Sequence, residues 1–164
     1  MVSRPRGFSQ GWVVAGVGAA CVCGHRELVR PVLVRERLSD VLACAVGRGW
    51  SCFFVGMAPG ADQMAAELLL GRVRVVAVIP CDDYGRLWPA FLRRKYEGLL
   101  SRVDEVVVYP GGPYAPWKPH ARNRWMVDRA GLVIAVYDGR KEGGTYRTVE
   151  YARRRGVPVW FVEC

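Results

Sequence analysis

The 164-residue chain has room for one ordinary domain, at roughly 100–200 residues per domain, which argues against a two-domain enzyme. A hydrophobic fraction of 51% beside 24% charged residues excludes wholesale disorder, and no apolar stretch reaches the roughly 18 residues of a membrane-spanning helix. The net charge is +9, carried by 21 arginines and 3 lysines; the planar guanidinium suits phosphate or carboxylate, so an anionic partner is expected unless the arginines only cover solvated faces.

In chain order, residues 1–12 read as a flexible N-terminal tail and 13–164 as the folded domain. Arg4 and Arg6 before the apolar run 12–23 imitate a signal peptide, but cleavage there would delete the first core strand. Strands are expected at 18–23, 51–55, 73–79, 104–108, 131–136 and 158–162, most of them continuous apolar runs of the kind buried on both faces of a parallel sheet. Helices are expected at about 30–47, 61–71, 86–101, 120–130 and 145–155, with Pro31 opening the first and Gly49, Gly71 and Gly156 as stop signals. Residues 109–118, rich in Gly and Pro, form the one long irregular connection. This alternation predicts an α/β fold, a single-domain three-layer sandwich with a mostly parallel sheet of about six strands.

Six cysteines are too few for a disulfide scaffold, and Cys44, Cys52 and Cys81 sit in apolar segments as free thiols, which fits a reducing cytoplasm. Cys21, Cys23 and His25 alternate as C-x-C-x-H, yet no second ligand pair stands at zinc spacing, so no metal is expected.

Ligands of open parallel sheets bind beyond the strand C-termini, so the turns there carry the chemistry. The first holds Gly24, His25 and Arg26. The second runs Gly56, Met57, Ala58, Pro59, Gly60, Ala61, Asp62, where glycines permit close approach and the helix that follows presents unpaired N–H groups to an anion; it matches neither GxxxxGK[ST] nor GxGxxG. Arg122 and Asn123 open a helix after the Gly-Pro loop. The fourth turn runs from Tyr137 and Asp138 to Gly143, Gly144 and Thr145, with Thr145 as a helix cap and Thr148 one turn on. Two glycine-bearing strand-to-helix turns in one sheet point to a shared anionic ligand, its phosphate between the second and fourth turns.

GMAPGAD with Met64-Ala65-Ala66-Glu67, then RNRWMVD, IAVYDG and GGTYRTVEYA resemble the YpsA-like branch of the SLOG superfamily. Cys23-Gly24-His25-Arg26, Ile79-Pro80 and Trp88 extend the resemblance over residues 21–162; Tyr84 stands where that branch often has Gln. The resemblance implies a Rossmann-like fold and a nucleotide or nucleotide-derived ligand, in a sensor or regulator. It adds two alternatives, since DprA/Smf relatives bind single-stranded DNA and LOG relatives cleave the N-glycosidic bond of nucleoside monophosphates. LOG enzymes share PGGxGTxxE. Here the acidic position falls on Thr148 when Gly144-Thr145 is the GT pair, and on Glu150 only when the leading glycines are aligned.

The expected ligand site is therefore backbone at 56–61 and 143–145, charge from Arg26 and Arg122, polar groups of Asn123, Asp62 or Asp138, and Tyr137 or Trp88 as a stacking surface. A hydrolase would need Glu150, Asp62 or Asp138 in the pocket. No cofactor beyond a nucleotide-like ligand is implied; nucleic-acid or protein partners and a homo-oligomer stay open.

Overall fold

A computed structural model describes residues 18–164, so the expected tail at 1–12 lies outside the described residues. Six strands, β1 (Gly18–Gly24), β2 (Trp50–Val55), β3 (Arg74–Ile79), β4 (Glu105–Val108), β5 (Leu132–Val136) and β6 (Val159–Val162), alternate with five helices. These are α1 (Pro31–Gly47), α2 (Ala61–Leu69), α3 (Ala90–Leu100), α4 (Lys118–Arg129) and α5 (Gly143–Arg154). Every strand pairing is parallel, in the order β4-β3-β2-β1-β5-β6. The chain works outward from β1 to β4, then returns to lay β5 on the other side of β1.

Right-handed crossovers make that reversal of direction a reversal of face. Val34 and Leu38 of α1, Ala65 and Leu69 of α2 and Leu99 of α3 share one core with Ala20 and Val22 of β1. Met126 and Val127 of α4 and Val149 and Ala152 of α5 share the opposite core with Cys21 and Cys23. The period-2 alternation of a strand thus feeds both layers of a three-layer α/β sandwich. Among the described residues no helix is long and apolar enough to cross a membrane.

Three expectations are corrected. The run 103–108 was expected to be covered on both faces, but β4 is an edge strand, half-buried at Glu105, Val106 and Val107, with Val108 37% exposed. It neighbours β3 alone, so it does not adjoin β1, β2 and β5. Helix α3 begins at Ala90, four residues late, because Pro89 is extended at φ −50° and ψ 146°; the preceding Trp88 packs edge-on against Tyr84 and Tyr96, which leaves it a core role rather than a stacking one. Helix α5 begins at Gly143, two residues early, with Glu142 in the cap position, so Thr145 is the third helical residue and not the cap.

Candidate functional site

β1 and β5 are neighbours whose outgoing chains diverge, one to α1 and the other to α5 on the opposite face. That is the switch point, where an open α/β sheet leaves a crevice beyond its strand ends. A cleft of about 330 Å³ lies there. Gly24, His25 and Arg26 line it from the first turn, Ala58 and Asp62 from the second, Arg122 and Asn123 from α4, and Gly144 and Thr145 from α5. All four expected turns therefore converge on it.

The second turn, however, is closed by its own residues. The Ala61 N–H donates to the His25 carbonyl at 3.1 Å, and the Ala58 N–H donates to Asp62 Oδ2 at 3.2 Å. Asp62 itself is the anion seated there. Gly60, at φ +87°, permits the close packing of this turn against the carbonyls of His25 and Arg26. Met57 is fully buried in the core, and Gln63 Nε2 donates to its carbonyl at 3.2 Å. Gly56 makes room for protein rather than ligand: a Cβ there would stand 2.7 Å from Asp62 Oδ2 and still closer to the Arg122 guanidinium. Gly56, Met57, Gly60 and Ala61 thus stand behind the cleft wall.

Arg122 is only 3% exposed. Its Nη1 donates to the carbonyls of Gly56 and Val78, the latter at 2.8 Å, and its Nε donates to Asn123 Oδ1 at 2.7 Å. Asn123 Nδ2 in turn donates to Thr148 Oγ1 at 2.9 Å, whose hydroxyl donates to the Gly144 carbonyl at 2.9 Å. This chain ties α4 to the first turn of α5. Thr148 holds the wall and does not line the cleft.

Asp138 bridges the mouths of β1 and β5. Its Oδ1 lies 3.0 Å from His25 Nε2, and its Oδ2 accepts Arg140 Nε at 2.7 Å. The Arg140 hydrogen bond holds the Asp138 carboxyl well below the usual carboxylate range, so it has no proton to give near neutrality. Tyr137 donates its hydroxyl to the Arg140 carbonyl and faces a second groove beside Phe161. Glu150 pairs with Arg153 at 2.8 Å on the surface of α5. Of the three carboxylates a hydrolase would draw on, Asp62 alone lines the cleft.

Burial pushes the Asp62 carboxyl up to about 6, against the opposing charge of Arg122 and the Ala58 N–H. A raised native pKa means the folded state keeps a proton that the unfolded chain has already released, so stability falls as pH rises from about 4 to 6. Asp62→Asn removes that slope. Its stability relative to the unmodified chain, followed by thermal unfolding, should climb across this window and level off above it, by a total of about 3 kcal/mol at most. A difference that moves the other way would show that Arg122 holds Asp62 ionised.

Five lining residues fall outside the expected ligand site: Cys23, Tyr114, Pro116, Pro119 and His120. Lys118, 8% exposed at the start of α4, donates to the carbonyls of Gly111 and Pro113 and straps the Gly-Pro loop beside the cleft, with Tyr114 57% exposed. Arg147 Nη1 lies 3.2 Å from His120 Nε2; an arginine only donates, so Nε2 accepts and Nδ1 carries the proton. Burial lowers the His120 pKa, with Arg147, Arg124 and Arg122 acting in the same direction. His120 and the three arginines around it, Arg122, Arg124 and Arg147, therefore cluster on this wall. Only the density of arginines at 122, 124 and 147 hinted at it in the sequence.

No protein-family model matches the chain. It is 27% identical over 127 residues to the SPbeta prophage-derived protein YoqJ of Bacillus subtilis, covering 66% of this chain and 74% of that one. It is 20% identical over 140 residues to YpsA of the same organism, covering 79% and 78%. Among solved structures, DNA processing protein A of Streptococcus pneumoniae superposes with a TM-score of 0.64 at 20% identity, and that of Helicobacter pylori, described for its single-stranded DNA binding mode, with 0.66 at 18%. Both cover 88% of this chain, which spans 50% and 64% of their lengths. The molybdenum cofactor binding protein of Rippkaea orientalis superposes at 0.56, with 18% identity over 90% of this chain and 77% of that one.

A parallel sheet in this order, with the cleft at its switch point, defines a Rossmann-like α/β protein, the fold it shares with its structural neighbours. In sequence the chain is similar to YpsA and YoqJ, at 20% and 27% identity.

Proposed function

We propose that the chain is a binding module for a nucleotide or nucleotide-derived phosphate, held in the switch-point cleft. The observation that carries this reading is the first turn of α5. The N–H groups of Gly143, Gly144 and Thr145 donate to nothing among the described residues, and Gly144 and Thr145 open onto the cleft opposite Arg26 and beside His120. Unpaired amides at the positive end of a helix dipole favour an anion. The ligands named for the structural neighbours, single-stranded DNA and a molybdenum cofactor, support a binding role.

A thermal-shift screen of nucleoside mono-, di- and triphosphates, ADP-ribose and cyclic dinucleotides tests it. A ligand at 100 times its Kd adds about 2.7 kcal/mol, or roughly 5–11 °C for a chain of this size. If no compound raises the melting temperature, the small-ligand reading falls.

Single-stranded nucleic acid is the second reading, favoured by three exposed aromatics on one loop, Tyr109, Tyr114 and Trp117, which offer stacking faces. An oligonucleotide that binds while every mononucleotide fails would put it first.

A further inference from the structure

Two buried polar side chains in the cleft have hydrogen-bonding capacity left over, and they are of opposite kind. Thr145 is 6% exposed, lines the cleft, and its hydroxyl meets no partner among the described residues; it adjoins the unpaired amides of α5. Asp62 is also 6% exposed and lines the cleft, but it only accepts. Its Oδ2 takes the Ala58 N–H, while Oδ1 carries no hydrogen bond. Arg122, its nearest natural partner, directs Nη1 and Nε to Gly56, Val78 and Asn123 and forms no ion pair with it. The cleft thus has an end that attracts an anion and a carboxylate that repels one.

We propose that Asp62 is the specificity-determining residue of this cleft: its open Oδ1 accepts a sugar hydroxyl of a single ribonucleotide whose phosphate rests on Gly144 and Thr145. This rests on the nucleotide-binding reading above. Oδ1 is open to the cleft, and a ligand that displaces solvent from it must bring an O–H or N–H in exchange or leave the carboxylate unpaired. The phosphate cannot do so and is driven to the α5 end. A base has a flat face waiting at the mouth in Tyr114, 57% exposed, which leaves the hydroxyl-bearing sugar between the two ends. The volume, about 330 Å³, sits at the bottom of the roughly 300–1,000 Å³ range of ligand pockets, which suits one nucleotide unit.

Calorimetric titration of the full chain with a ribonucleoside 5′-monophosphate, its 2′-deoxy and 3′-deoxy counterparts and inorganic phosphate is the test. Loss of the hydroxyl that Asp62 accepts should weaken binding about tenfold, because the carboxylate is then left unpaired. Asp62→Asn should narrow that ratio severalfold and tighten inorganic phosphate, as the repelling charge is gone. Thr145→Val, which adds no charge and keeps the side-chain shape, should weaken every phosphorylated ligand alike and leave the ratio unchanged. Equal binding of the ribo and both deoxy forms would overturn the role of Asp62 without touching the wider reading, and so would an unaltered ratio in Asp62→Asn. Should that variant fail to fold, the deoxy comparison on the unmodified chain still decides. If none of the phosphorylated ligands binds, the nucleotide reading falls first.

Discussion

Arg122→Met is expected to lower stability by about 3 kcal/mol, the largest effect of any substitution at the cleft. A solvated surface arginine contributes within about 0.5 kcal/mol, but Arg122 is 3% exposed and fills the space that Gly56 leaves open. Its removal strands the carbonyl of Gly56, just past β2, and that of Val78 in β3, and takes the nearest countercharge from Asp62. Hydrogen bonds to charged groups contribute about 1.5–3 kcal/mol each, and a buried carbonyl left bare costs its full desolvation. Thermal unfolding should show a fall of roughly 6–12 °C. A fall below about 2 °C would mean that the guanidinium faces water, as an unpartnered arginine on a surface helix would.

Gly144→Asp should separate binding from folding. A Cβ at Gly144 meets only His120 Cε1, at 3.8 Å, and Gly144 is not among the positive-φ glycines, so the backbone accepts the side chain. A carboxylate in the first turn even suits the helix dipole, so the melting temperature should hold or rise slightly. Ligand affinity should nevertheless fall at least tenfold, since the new charge occupies the position proposed for phosphate. Glu150→Gln is the counterpart. Glu150 makes an exposed i,i+3 pair with Arg153 outside the cleft, so affinity should stay within twofold and stability within about 0.5 kcal/mol. Abolition by Glu150→Gln of a measurable release of base from a nucleoside monophosphate would put the hydrolase reading first.

Much of the fold was legible because parallel strands buried on both faces write themselves as apolar runs, as at Leu132–Val136. What the runs do not carry is position across the sheet. Val106 and Val107 look like core from composition, and only topology makes them an edge. The convergence of the four turns was likewise legible, since it follows from the crossover rule. The interior of the site was not. Gly56 and Arg122 are separated by 66 residues, and nothing local reveals that the glycine exists to seat the arginine. The second turn looks like an anion site because glycines and a helix start invite one; the carboxylate that closes it, Asp62, belongs to the same motif. Helix α5 begins two residues ahead of the expected cap, Thr145, because Gly143 at φ +85° makes the turn into the helix that only glycine makes without strain, and Gly144 follows it.

The two walls of the cleft are each stitched internally. On one side, the Ala61 N–H bound to the His25 carbonyl fuses the first turn to the second; on the other, Asn123, Thr148 and Gly144 join α4 to α5, and Lys118 straps on the loop bearing Tyr114. The walls meet at His25 and Asp138. A ligand entering here finds its contacts already arranged and gives up little chain entropy in using them. Differences in affinity among related ligands then belong to the rate of departure rather than the rate of arrival, and occupancy is remembered for as long as the tightest contact holds.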